Sequence, residues 1–279
     1  HAPPTVRRMG ELVTAPLNKD TPVIVLCGGQ GTRIRDAAEH IPKPMLQIGG
    51  YPILWHIMRI YAAHGYRNFI LALGYKSWVI KEYFLNYRAM TSDFALEFGV
   101  QASMRILDSR EPPDWRIVFA ETGEHTQTGR RVFLCQKYVE TDEFMVTYGD
   151  GVADIDITRL HAFHRDHQRT ATVTGVTPPG RFGSLVVDGP SVVAFNEHRH
   201  AGGGLVNGGF FVFNRAMFDV LGTAGDSMLE TQPMNALVEA DQLRMYRHTG
   251  FWEPMDTLRE YQALNDLWQK GNAPWRVWE

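Results

Sequence analysis

Residues Thr21 to Gly29 read TPVIVLCGG, a short β-branched run that stops at a pair of glycines. An apolar run without alternation marks a strand buried on both faces, and the glycines mark a tight loop at its end. Strands buried on both faces belong to parallel sheets covered by helices. Two further runs have the same character: Asn68 to Gly74 (NFILALG), and Phe144 to Tyr148 (FMVTY), the latter followed at once by Gly149-Asp150-Gly151. Between these runs, Ile53 to His64 has helical spacing closed by Gly65, and Trp78 to Tyr87 reads as a second amphipathic helix. Asp154 is placed to cap a helix over Ile155 to Gln168, and Thr170 to Val176 is again strand. Phe94 to Arg116 is less regular and is expected to form an antiparallel excursion. Phe182 to Phe213 carries short strands with glycine turns, and helices follow. The expected class is α/β, with a mostly parallel, mixed sheet flanked by helices. No repeat or linker divides the chain, so residues 21–279 are read as one domain. Residues 1–20 are read as an N-terminal extension, partly disordered or left from processing. The stretch Ala201 to Gly204 (AGGG) is expected to be a mobile loop.

At 279 residues, 44% hydrophobic and 21% charged, the chain has the composition of an ordinary globular protein. Its net charge of −3 provides no basic field for a nucleic acid, so an anionic ligand must be held by local cations. No apolar run reaches the roughly 18–20 residues of a membrane span, and His1 to Asp20 lacks the apolar stretch of a secretory signal. Only two cysteines are present, Cys27 and Cys135, which fits a reducing cytosol and a cytoplasmic protein. Cys27 lies in the first strand and reads as a small buried hydrophobe.

The loop after that strand is Gly28-Gly29-Gln30-Gly31-Thr32-Arg33. A dinucleotide fingerprint begun at Gly29 needs glycine where Ile34 stands, and no Gly-Lys-Ser/Thr triplet makes a P-loop. A dinucleotide oxidoreductase is therefore disfavoured. Glycines at the C-terminal end of a parallel strand let backbone N–H groups wrap an anion, and Arg33 adds a planar cation for phosphate oxygens. Pro42-Lys43-Pro44 then roots one lysine between two prolines, which hold its backbone stiffly.

Two aspartates stand out. Asp150 follows directly on FMVTY, between glycines, and Asp256 lies in Phe251-Trp252-Glu253-Pro254-Met255-Asp256-Thr257. Either alone could be a turn or cap residue, Asp256 for a helix over Leu258 to Leu267. Beside a phosphate loop, the pair suits Mg²⁺, which binds through one or two carboxylates plus substrate phosphates and water.

Together CGGQGTRI, PKPML, YPILWHIMRIYAAHG, TYGDGVADID, PPGRFG, VNGGFFVF, GFWEPMDTLRE and APWRVWE resemble the glucose-1-phosphate cytidylyltransferases, over nearly the whole span from Thr21 to Glu279. These are members of the sugar-1-phosphate nucleotidyltransferase superfamily. The resemblance implies a Rossmann-like core of the nucleotide-diphospho-sugar transferase type. It also implies a homo-oligomer, with no nucleic-acid or membrane partner, that joins CTP to glucose 1-phosphate to give CDP-glucose and pyrophosphate. By the same resemblance, Leu26, Cys27, Gly28, Gly29 and Gly31 wrap the nucleotide, with Thr32 and Arg33 on its phosphates. Lys43 neutralises the α-phosphate, Thr122 and Gly149 lie near the nucleoside, and Asp150 with Asp256 hold Mg²⁺. Gly183, Glu197, His198, Arg199, Asn207 and Gly208 line the sugar-phosphate pocket.

One departure is prominent. Asn196-Glu197-His198-Arg199-His200 stands where the family has Glu-Lys-Pro-Arg, so His198 replaces the lysine that pairs with the sugar phosphate. Either Arg199 supplies the charge, or the substrate is another sugar or cyclitol phosphate; a non-catalytic nucleotide-sugar-binding relative is the remaining alternative. A smaller departure is Gln232 before Pro233, where the family tends to glutamate. His161, His164 and His167 recur every third residue and, among Arg159, Arg165 and Asp166, read as a solvated face of mixed charge. Trp275 and Trp278 read as packing residues of a core or subunit interface.

Overall fold

A computed structural model describes residues 17–29, 41–98, 103–107, 113–178 and 204–278, together with the backbone of 184–188 and 191–196. In chain order the elements are β1 (Val23–Cys27), a 3₁₀ turn (Lys43–Met45), β2 (Gln47–Ile48), β3 (Tyr51–Pro52), α1 (Ile53–Ala63), β4 (Asn68–Leu73), α2 (Ser77–Leu85) and α3 (Tyr87–Thr91). Next come β5 (Phe94–Glu97), β6 (Ser103–Ile106), β7 (Arg116–Glu121), α4 (Thr128–Leu134), β8 (Glu143–Tyr148), β9 (Gly151–Ala153), α5 (Ile157–His167) and β10 (Ala171–Val176). The last are β11 (Ser184–Asp188), β12 (Ser191–Asn196), β13 (Val206–Asn207), β14 (Phe211–Asn214), α6 (Met217–Ala224), α7 (Gln232–Glu239), β15 (Leu243–His248), β16 (Trp252–Pro254) and α8 (Leu258–Gln269).

β1 lies at the centre of the main sheet. It pairs in parallel with β4 on one side and β8 on the other, and β7 extends the parallel block beyond β4. β14 joins β8 antiparallel and passes the sheet on to β10. β10 carries β15 in parallel along its other edge. The sheet is thus mixed and mostly parallel, as expected. Burial alternates along β1: Val23, Val25 and Cys27 enter one core with α1, while Ile24 and Leu26 enter a second core with Val132, Phe144 and Phe218. Helices on both faces explain why the strand had to be apolar throughout. The excursion is an antiparallel β5–β6 ribbon. β7, α4 and β15 carry no expectation from sequence; Arg116 and Glu121 at the ends of β7, and Arg244 and Arg247 within β15, mask them. No helix among the described residues is long and apolar enough to cross a membrane. Gly31, Thr32, Arg33, Gly183, Glu197, His198, Arg199 and residues 201–203 lie outside the described residues.

The histidine helix departs from expectation. His161 and His164 are fully buried, and the face that reads as solvated is the one turned to the sheet. Strand polar groups satisfy it in a continuous chain. The Arg169 N–H donates to His167 Nδ1 (2.9 Å), His167 Nε2 meets Thr172 Oγ1 (2.7 Å), Thr172 Oγ1 meets His164 Nδ1 (2.9 Å), and His164 Nε2 meets Asn214 Oδ1 (2.9 Å). His161 sits between the Tyr66 hydroxyl and Glu143, 2.7 Å from each. Periodicity put the three rings on one face but could not say which face. The helix cap also shifts: Asp156, not Asp154, accepts from the Arg159 N–H (2.9 Å), while Asp154 Oδ1 lies 3.0 Å from His248 Nε2. Trp275 is fully buried and donates to His56 Nδ1 (3.3 Å), so His56 Nε2 carries the proton that goes to the Ile48 carbonyl (2.9 Å).

Both His56 and His164 are held neutral, chiefly by burial, with pKa values pushed down from 6.5 to about 4. Unfolding restores the higher value, so the unfolded chain takes up protons that the folded chain refuses. Their stabilising contribution is present above about pH 6.5 and is lost as pH falls toward about 4. The urea midpoint should therefore drop across that interval, and less steeply in His164→Gln. Equal slopes in the two proteins would show that His164 does not set it.

Candidate active site

The parallel strands β1, β4, β7 and β8 run the same way, so the segments after Cys27, Leu73, Glu121 and Tyr148 gather at one edge. From β1 the chain proceeds to β4 and β7 on one side, then crosses to β8 on the other. This reversal opens a crevice between the loops after β1 and β8, where open α/β sheets bind ligands. A cavity of about 480 Å³ lies there, lined by Leu26, Gly28, Gly29, Lys43, Tyr148, Gly149, Asp150 and Asp256, with residues 124–128 and Arg131 closing it. A smaller cavity of about 250 Å³ adjoins it, walled by Asn207, Gly208, Phe210 and Trp252. Tyr148, Asp150 and Asp256 belong to both. The carboxylates therefore stand at the junction of two pockets.

A backbone ribbon brings the two aspartates together. β9 pairs with β16, Gly151 opposite Pro254, and the Met255 N–H donates to the Asp150 carbonyl (2.8 Å). Asp256 is not spent as a cap. Thr257 is the N-cap of α8, and Glu260 reciprocates in a capping box whose carboxylate also accepts the Asp256 N–H (2.7 Å). Both aspartate side chains point at Lys43, whose Nζ lies 2.7 Å from Asp150 Oδ2 and 2.5 Å from Asp256 Oδ1. The lysine root is rigid: Pro42 precedes the 3₁₀ turn, Pro44 and Met45 are buried, and the Met45 N–H bonds the Pro42 carbonyl (2.8 Å). Burial pulls the Lys43 pKa down, but the two carboxylates outweigh it and hold it above the ordinary value. The ammonium stays charged.

This arrangement suits a divalent cation. Two carboxylates, each about a third exposed (34% and 35%), converge on a point already taken by one positive charge. No group of three or more His, Cys, Asp and Glu residues able to hold a metal occurs among the described residues. Such a site must complete its shell from phosphates and water, as Mg²⁺ sites commonly do.

Arg131 is the residue that sequence reasoning missed. Its buried guanidinium donates to the carbonyls of Leu73 (3.0 Å), Gly123 (2.7 Å), Glu124 (3.0 Å) and Gly28 (3.3 Å), and to Thr122 Oγ1 (2.7 Å). It ties the loops after β1, β4 and β7 into one rim. Burial lowers its pKa, yet an arginine remains protonated at any relevant pH, so the rim is permanently positive. Gly28 has no side chain because that guanidinium fills its place: an added Cβ would stand 2.1 Å from Arg131 Cζ. Nothing in the local sequence Thr128-Gly129-Arg130-Arg131 separates this arginine from its neighbour. Helical phase and the position of β7 do.

The sequence profile of the family described as nucleotidyl transferase matches residues 22–268. The chain belongs to that family. It is 43% identical over 257 residues to the glucose-1-phosphate cytidylyltransferase of Salmonella typhi, covering 92% of this chain and 99% of that protein. It is 40% identical over 255 residues to a probable glucose-1-phosphate cytidylyltransferase of Bacillus subtilis (strain 168), covering 91% and 99%. Among solved structures it resembles HddC from Yersinia pseudotuberculosis (TM-score 0.63, 22% identity, covering 89% of this chain and 99% of that one). It also resembles the inositol-1-phosphate CTP transferase from T. maritima (TM-score 0.60, 14% identity, covering 90% and 97%). At those identities the structures speak to fold alone.

In this nucleotidyl transferase, the residues singled out from sequence fall into three groups. Leu26, Gly28, Gly29, Lys43, Gly149, Asp150 and Asp256 line the larger cavity, and Asn207 and Gly208 line the smaller. Cys27 and Thr122 are buried and absent from the cavity walls; the Thr122 hydroxyl bonds the Leu73 carbonyl (2.6 Å) and so positions Arg131. Burial pushes the Cys27 thiol up, which leaves it inert. The remaining candidates lie outside the described residues.

Proposed function

We propose that this chain catalyses CTP + glucose 1-phosphate → CDP-glucose + pyrophosphate. The observation that carries the proposal is the Lys43–Asp150–Asp256 cluster at the junction of two cavities. The larger cavity takes the nucleotide and the smaller the sugar, so the phosphates of both meet at the cluster. The match to curated cytidylyltransferases at 43% identity supports the choice of CTP and glucose 1-phosphate.

The reaction is an in-line displacement. An oxygen of the sugar phosphate forms a bond to the nucleotide α-phosphorus while the bond from that phosphorus to the bridging oxygen breaks, and pyrophosphate leaves with the electron pair. The attacking oxygen is already an anion, so no general base is needed. Catalysis then consists of positioning and charge neutralisation. Lys43 presents its ammonium to the α-phosphate from a rigid root, and Arg131 keeps the nucleotide rim positive. Arg33, outside the described residues, is assigned to the departing pyrophosphate. Asp150 and Asp256 would hold Mg²⁺, which would supply charge neutralisation for the phosphates.

Pyrophosphate release across a matrix of nucleoside triphosphates and sugar 1-phosphates tests this reading. CTP with glucose 1-phosphate should give the highest kcat/KM, with dTTP or UTP the nearest competitors among nucleotides. Equal efficiency with ATP overturns the nucleotide choice. Higher efficiency with another sugar or a cyclitol phosphate would follow from His198 standing in the place of the family lysine. No release with any pair would leave a non-catalytic binding protein.

A further inference from the structure

A hydrogen-bond relay runs inward from the wall of the smaller cavity. Asn207 walls that cavity, and its Nδ2 donates to the Tyr148 hydroxyl (3.0 Å). Tyr148 in turn donates to Glu230 Oε1. The other carboxylate oxygen, Oε2, meets Thr128 Oγ1 at 3.0 Å. At the far end Thr128 Oγ1 accepts the Leu229 N–H (2.8 Å) and gives its own proton to the carboxylate, which can only accept.

A carboxylate only accepts, so the direction of every bond in the relay follows from Glu230. Tyr148 spends its proton on Glu230 and offers Asn207 a lone pair. Only the NH₂ end of the Asn207 amide can answer, and its Oδ1 accepts the Gly209 N–H at 2.9 Å. The amide is thereby locked in one of two orientations that are nearly identical in shape. One N–H and one lone pair remain for a ligand in the cavity. Gly209 is itself constrained: its φ is +76°, and an added Cβ would stand 2.9 Å from the Tyr148 ring, so the turn and the phenol are fitted to each other.

We propose that Glu230 is a positioning residue for sugar recognition, acting through Tyr148 to fix which hydrogen-bonding groups Asn207 presents to the sugar hydroxyls. The inference rests on the functional reading above in taking the smaller cavity as the sugar site. An amide at position 230 would reverse the relay. With Thr128 Oγ1 still donating to its oxygen as it does to Glu230, its NH₂ faces Tyr148, and Tyr148 turns its proton toward Asn207. Asn207 then either loses that bond or flips and sets its NH₂ against the Gly209 N–H.

The test compares Glu230→Gln, Tyr148→Phe and the double variant in steady-state kinetics. It uses whichever sugar 1-phosphate the wild-type protein turns over best. Each single variant should raise KM for the sugar phosphate about five- to ten-fold, the scale of one misdirected hydrogen bond, while in Glu230→Gln, at a position that lines neither cavity, KM for CTP changes less than about two-fold. The double variant should be no worse than the worse single one, because both cut the same relay. Discrimination between that sugar and its epimers should shrink with it. An unchanged sugar-phosphate KM in Glu230→Gln, or equal increases in both KM values, overturns the relay. A best substrate other than glucose 1-phosphate overturns the sugar assignment and leaves the relay prediction standing. An absence of turnover with every sugar phosphate overturns both.

Discussion

Lys43→Ala is expected to lower turnover roughly a hundred-fold or more, the scale of losing one oriented donor to developing charge. The structure adds a second consequence. Lys43 Nζ is the positive charge between Asp150 and Asp256, so its removal leaves two carboxylates facing each other with no cation between them. The variant should bind Mg²⁺ at least as tightly as the wild type while working far more slowly. That combination separates a catalytic ammonium from a mere counterion. If Lys43 only neutralised the aspartates, saturating Mg²⁺ would restore turnover to within a few-fold of wild type. Pyrophosphate release measured over a Mg²⁺ titration, with circular dichroism to confirm the fold, distinguishes the outcomes.

Asp150→Asn and Asp256→Asn should each cost about 10²- to 10³-fold in turnover, because on the proposed reading each removes one of two charged Mg²⁺ ligands. Neither change should unfold the chain. In each variant Lys43 keeps the other aspartate as its partner, and the β9–β16 ribbon that joins the two segments is made of backbone bonds. The concentration of Mg²⁺ needed for half-maximal activity should rise in both. A variant with wild-type Mg²⁺ dependence would remove that aspartate from the metal site. A structure with substrates and metal bound, in which the ion touches neither side chain, would remove both.

The parallel block was legible because its strands must be apolar on both faces. TPVIVLC, NFILALG and FMVTY are such strands, and the loops after the first and third carry the glycines, Lys43 and Asp150. β7 was harder to see. Arg116 and Glu121 bracket its apolar centre, and its membership in the sheet comes from pairing with β4. Arg131 stayed hidden for the same reason, since its role depends on β7 ending beside β1 and β4.

By itself, the sequence determined the sheet class, the glycine loop after β1, the lysine root and the placing of Asp150 at a strand end. Each of these follows from local chemistry: unbroken apolarity, glycine at a strand end, proline beside a lysine, aspartate between glycines. Tertiary structure alone decided which polar side chains face inward and which partner each meets. It turned His161 and His164 into the core, because Tyr66, Glu143, Thr172 and Asn214 supply the bonds that their burial requires. It gave the α8 cap to Thr257 and left Asp256 free for Lys43. It set Glu230 behind Tyr148, 82 residues away in the chain. A helical period names a face but not its direction, and a hydrogen bond between distant segments exists only once the sheet has set their register.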